Sequence, residues 1–194
     1  MRQTSRSALA RWGRWLGSFV GFPLAGVTAR LVAGNIDSVT AAAAGGLAGG
    51  LVLGAAQAFI AGIATKDRVR WIAATGVGLA AGLSAGGASV GFHTDASSLV
   101  AMGAISGLAV GLAQAASIAM STSDRVLWTV ATPLLWAGGW AITAQVIVDA
   151  DRQHAVFGSS GAVAVSAAAG VLFAMRNRPA RPAAPSAPMT VGVS

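Results

Sequence analysis

Gly46-Leu47-Ala48-Gly49-Gly50-Leu51-Val52-Leu53-Gly54-Ala55-Ala56-Gln57 returns 57 residues later as Gly103-Ala104-Ile105-Ser106-Gly107-Leu108-Ala109-Val110-Gly111-Leu112-Ala113-Gln114. Asp67-Arg68-Val69-Arg70-Trp71 returns at the same step as Asp124-Arg125-Val126-Leu127-Trp128. A fixed period defines the structural unit before any other reading, and here that unit is about 57 residues. Gly21 and Ala25 map onto Gly78 and Gly82 at this step, so the opening apolar segment belongs to a first unit. A third unit keeps Asp124-Arg125-Val126 and Trp128 but carries Val171 where the glutamine would recur.

The units are almost uniformly apolar. Of 194 residues, 55% are hydrophobic and 10% are charged, and the mean hydropathy is +0.68. Soluble domains carry about 25% charged residues, so water is not the solvent for most of this surface. From Leu31 to Thr65 only Asp37 interrupts an uncharged stretch, and a membrane helix needs roughly 20 apolar residues. Six apolar segments follow: about 16–32, 39–64, 71–92, 98–120, 126–148 and 156–175. We expect an all-α integral membrane protein in which six transmembrane helices form three parallel helical hairpins, at 11–65, 66–122 and 123–176. Residues 1–10 read as a basic cytoplasmic tail, and 177–194 as a disordered Pro/Ala-rich one. Val27-Thr28-Ala29 after a basic start also fits a cleavable signal peptide, but the place of Gly21 and Ala25 in the repeat favours a retained helix.

The net charge of +7 suggests nucleic acid in a soluble protein; here it reads as topology, with no nucleic-acid partner. With six spans, eleven of the thirteen basic residues fall on one side, leaving only Arg30 and Arg152 opposite. Basic loops stay cytoplasmic, so both termini are expected inside. The arginine-over-lysine and Ala/Gly bias suggests a bacterial, GC-rich source and an inner-membrane location.

Gly46, Gly50 and Gly54, then Gly103, Gly107 and Gly111, then Gly78, Gly82 and Gly86 are each spaced by four. Such stripes let helix backbones approach closely in lipid, either within the chain or against a partner's helix. Gln57 and Gln114 continue two of these faces as buried polar groups, bonded to each other or to backbone, or lining a solute path. Arg68 with Trp71, and Arg125 with Trp128, read as anchors at headgroup depth. Trp12 and Trp15 read as the same device in the first hairpin, and Asp67 and Asp124 as helix N-caps. Pro23 and Pro133 are expected to kink their helices. Trp136 and Trp140, beside Gly138-Gly139, read as one residue at the outer interface belt and one deeper and packed, or together as a surface for lipid or a partner. Arg30 is expected to snorkel outward toward Asp37.

Catalytic signals are lacking. There is no cysteine and no glutamate, and the two histidines, His93 and His154, stand singly near Asp95, Asp149 and Asp151 without metal-ligand spacing. We expect no catalytic residue, metal or cofactor. An enzyme acting on lipids through His93 or His154 is the weakest of three readings.

The G-L-x-x-G-x-x-Q run followed by D-R-V-x-W resembles small, Gly/Ala-rich, repeated multi-pass bacterial membrane proteins of unassigned function, over the first two hairpins. The resemblance implies no activity. The three-hairpin plan is also similar to that of mitochondrial carriers, whose Pro-x-Asp/Glu-x-x-Lys/Arg signature is absent. The first expectation is a non-catalytic accessory or scaffold subunit of a larger inner-membrane complex, such as a lipid importer or respiratory assembly. It would bind membrane lipids and other integral subunits through its small-residue faces. The alternative is a small channel or facilitator for an uncharged or lipidic solute, with the glutamines on its axis.

Overall fold

The structure is a computed structural model that describes residues 2–146 and 160–176. Every regular element among the described residues is helical. The helices are α1 (Arg2–Gly17), α2 (Gly21–Ala33), α3 (Val39–Ala56), α4 (Arg68–Ser89), α5 (Ala96–Ser117), α6 (Thr122–Val146) and α7 (Ser160–Arg176). Five stretches, such as Ala8–Ala33 and Ala96–Ser117, are long and apolar enough to cross a membrane, and Gly161–Leu172 is a shorter apolar helix. Their outward side chains are apolar too: Leu31, Val77 and Leu134 are 81%, 62% and 69% exposed. This is compatible with a multi-pass membrane protein.

The first span is not one continuous helix. A 3-10 turn over Ser18–Val20 joins α1 to α2, because Pro23 has no N–H for the carbonyl four residues back. Pro133 is instead accommodated inside α6. Helix starts are fixed by short polar caps. Ser38 accepts from the Ala41 N–H (3.3 Å), Asp95 from the Ser98 N–H (3.1 Å) and Ser121 from the Asp124 N–H (3.1 Å). The capping expectation holds in position for Asp67, which is the N-cap residue of α4, and is corrected for Asp124. Asp67 makes no side-chain cap bond, and Ser121 caps α6, so Asp124 lies inside the first turn.

From α2 to α7 each helix packs on the next, and α7 closes the ring against α1. Glycine sets the spacing. A Cβ on Gly46, Gly50 or Gly54 would lie within 2.9 Å of Ala80, Thr75 or Ile72 of α4. Gly78, Gly82 and Gly86 stand in the same way against Val110, Ser106 and Met102 of α5. Gly103, Gly107 and Gly111 stand against Trp140, Pro133 and Thr132 of α6. All nine repeat glycines thus face neighbouring helices of the same chain, and none of the three stripes is left over for a partner. In lipid, where burial of apolar surface drives nothing, this backbone contact is the main source of helix adhesion. The ring is closed by the Trp12 indole N–H, which donates to the Ala167 carbonyl (2.9 Å), and by Gly170, which lies against Trp12 and Trp15.

Candidate functional site

One end of the ring is filled by a polar-aromatic core. Trp15, Trp71 and Trp128 are 2%, 0% and 6% exposed, and their rings meet with centroids 6.2, 5.6 and 6.0 Å apart. Each presents a backbone carbonyl to a hydroxyl on its own helix: Ser18 to Trp15 (2.6 Å), Thr75 to Trp71 (2.8 Å) and Thr132 to Trp128 (2.6 Å). These hydroxyls recur at the 57-residue step, so their signal is present in the sequence. Two of the three indoles are then tied to the glutamines. The Trp71 N–H donates to Gln57 Oε1 (3.0 Å), and the Trp128 N–H to Gln114 Oε1 (3.2 Å). Gln114 Nε2 donates to Gln57 Oε1 (3.0 Å) and to Thr75 Oγ1 (2.9 Å).

The interfacial role expected of Trp71 and Trp128 is therefore corrected. A glutamine carbonyl sealed between helices needs a donor, and the indole N–H supplies it while its rings fill the bundle axis. Arg68 and Arg125 part company with these tryptophans. The Arg68 Nε donates to the Ile63 carbonyl (3.1 Å) and its guanidinium lies 5.1 Å from the Phe59 ring centroid, while Arg125 is exposed. Arg14 caps the same turn by donating to the Ile60 carbonyl (3.0 Å). Near the opposite end, Arg30 donates to Asn35 Oδ1 (3.4 Å) rather than to Asp37.

At the end carrying the 34–38 and 90–95 connections, the ring encloses a cavity of about 120 Å³. Its wall is apolar, from Phe22, Leu53, Leu79, Leu83, Met102, Trp136 and Trp140, and Gly45 and Gly49 also line it. Trp136 and Trp140 are only 6% and 9% exposed. The packed position expected of one of them holds for both, and the outer-surface position expected of the other is corrected: the close approach of α5 at Gly103 and Gly107 draws both indoles inward. Phe22 and Trp136, 5.7 Å apart, also line a smaller void of about 20 Å³ bounded by Gln57, Gln114 and Trp128. Below the cavity lie this ring pair and then the tryptophan triad.

Two features mark the cavity as more than a packing fault. Ser106 lines it, is 1% exposed, and its hydroxyl has no hydrogen-bond partner. Phe92, at the mouth with His93 and Thr94, holds a left-handed φ of +56°, its ring seated on Gly87. A non-glycine residue in that region is uncommon and is retained where its surroundings enforce it. The Asp95 carboxyl beside the mouth is held well below the usual carboxylate range, first by the Ser97 hydroxyl and then by the Ser98 hydroxyl and N–H.

No family model, curated protein or solved structure matches the chain. Among the described residues no group of three or more metal-ligating side chains is brought together. Asp149, Asp151 and His154, named with His93 in the weakest reading, lie outside the described residues, as does the 177–194 tail. Sequence reasoning missed Thr75, Thr132 and Ser106, because Ser/Thr in an apolar helix reads as neutral until a neighbouring helix gives it a partner or denies it one.

Proposed function

We propose that the chain is a non-catalytic membrane protein that holds a small, uncharged, mostly apolar molecule in the cavity beneath Phe92 and His93. This is the second of the functional readings, modified from channel to receptacle. The carrying observation is the combination of an apolar cavity with a closed floor. Small-molecule sites are concave and mostly apolar with few polar groups, and the Phe22–Trp136 pair and the triad beneath it stand across the axis. A facilitator built this way would have to part Trp15, Trp71 and Trp128 in each cycle.

The finer architecture belongs to the same proposal. The recurrence of indole, hydroxyl and amide at 57-residue intervals supports three parallel hairpin repeats around one axis, the third having lost its glutamine. The 11:2 distribution of basic residues supports both termini in the cytoplasm, which directs the cavity mouth to the outer face of a bacterial inner membrane.

The test is extraction. Protein purified in lipid nanodiscs is extracted with organic solvent and the extract is analysed by mass spectrometry. A stoichiometric small molecule is expected from the wild type and not from Leu83→Trp, which fills the wall. Identical extracts from wild type, Leu83→Trp and empty nanodiscs would overturn the proposal.

The accessory-subunit reading, in which partner helices are bound, is kept as a second proposal. The outward rows on α2, such as Leu24, Val27 and Leu31, support it in place of the glycine stripes, which are consumed inside the chain. Co-purification in mild detergent tests it. A stoichiometric partner is expected, and recovery of the chain alone would sink it.

A further inference from the structure

Among the buried hydroxyls of the described residues, Ser106 and Thr143 have no partner. Thr143 is wedged at the α6–α7 contact beside Gly161. Ser106 differs because it lines the cavity. Leaving a buried hydroxyl unpaired is unfavourable, since the group has lost water and gained nothing. A serine in a helix usually returns its hydroxyl to a carbonyl one turn back, as Ser18, Ser89 and Ser117 do here. Ser106 does not. At the 57-residue step it corresponds to Gly49 and Val163, so the hydroxyl is peculiar to the second hairpin and is not part of the repeated packing scheme.

Size narrows what could pair with it. The cavity is about 120 Å³, and an apolar cavity of roughly 150 Å³ accommodates benzene. That volume bounds the buried part of a ligand, and a charged group is disfavoured against these walls. We infer that the ligand is a compact, uncharged molecule of benzene scale carrying one hydrogen-bonding oxygen, an alcohol, phenol or ketone, and that Ser106 is the residue that selects that oxygen. This rests on the proposed receptacle function and deepens it. The apolar body lies against Leu79, Leu83, Met102 and Trp136, and the single oxygen meets the Ser106 hydroxyl.

The test uses a matched pair of probes, 4-iodophenol and iodobenzene, titrated onto the full chain in nanodiscs. Iodine quenches indole emission, and Trp136 and Trp140 line the cavity. Saturable quenching by both probes is expected, and it should disappear in Trp136→Phe/Trp140→Phe. The phenol should bind about five- to tenfold more tightly, the gain expected of one buried hydrogen bond. In Ser106→Ala that preference should fall to about onefold, and Ser106→Cys, which keeps a weak donor, should lie between. Ser106→Ala removes an unpaired group, so its thermal unfolding should match or exceed the wild type's, which keeps the comparison interpretable. Equal affinity for the two probes in the wild type, or an undiminished preference in Ser106→Ala, would overturn the role of Ser106 and leave the receptacle intact. No saturable quenching by either probe would overturn both.

Discussion

The side-chain amide of Gln114 donates to that of Gln57 at 3.0 Å, across a separation of 57 residues. The period of the sequence is thus also a contact in the fold, and two copies of one position meet near the bundle axis. Gln114 is the hub, joining Gln57, Thr75 and Trp128. Gln114→Leu strands the Trp128 N–H in apolar surroundings and deprives Gln57 and Thr75 of a donor. A loss of about 2–3 kcal/mol is expected, read as a lowered unfolding transition in detergent. Gln57→Leu/Gln114→Leu should cost less than the sum of the single changes, because the two residues are each other's partners.

Glycines on neighbouring helices should differ sharply in their tolerance of a methyl group. Gly107→Ala places Cβ within 3 Å of the Pro133 Cα and the Thr132 carbonyl, both backbone. Overpacking of this kind costs about 1–3 kcal/mol. Gly138 has nothing within 4 Å of a Cβ, so Gly138→Ala should be neutral or stabilising by about 0.5–1 kcal/mol through helix entropy. Equal stability of the two variants would contradict the packing described.

Orientation can be read with single cysteines, because the chain has none of its own. Lys66→Cys and Thr94→Cys both fall on exposed connections at opposite ends of the bundle. In intact cells an impermeant maleimide should label Thr94→Cys and spare Lys66→Cys. The reverse pattern would place the cavity mouth in the cytoplasm.

Asp95 gives α5 an acid-sensitive cap. Its carboxyl is held low by the Ser97 and Ser98 hydroxyls and by the Ser98 N–H. A carboxyl depressed in the folded state contributes stability that is present above its unfolded value of about 4 and is lost as pH falls toward the folded one. Thermal unfolding of wild type should therefore weaken between about pH 4 and pH 2. Asp95→Asn should show a flatter profile over the same window, and a parallel slope would remove Asp95 as its source.

The membrane-scale features were legible in the sequence because they are one-dimensional. Five of the six apolar runs return as helices long enough to span, and the sixth as the shorter Gly161–Leu172. The glycine stripes follow from spacing by four, and the positions of Gln57 and Gln114 from a shift. Legibility ended where a residue's role depends on its neighbour. Trp71 and Trp128 follow arginines at helix starts, the usual pattern of an interfacial anchor, and only the partner helices show that each indole is bonded to a glutamine fourteen residues earlier. One of Trp136 and Trp140 looks superficial beside Gly138-Gly139, yet the glycines of α5 draw both to the cavity wall.

By itself the sequence determined the 57-residue recurrence of residues, the apolar runs and the glycine spacing, since these depend on composition and period alone. The tertiary structure decided that the stripes are spent within one chain, that three tryptophans meet across the ring, and that Ser106 stands unpaired in a cavity. The reason is physical. Hydrogen-bond satisfaction and free volume belong to the space between helices, and no single helix contains that space.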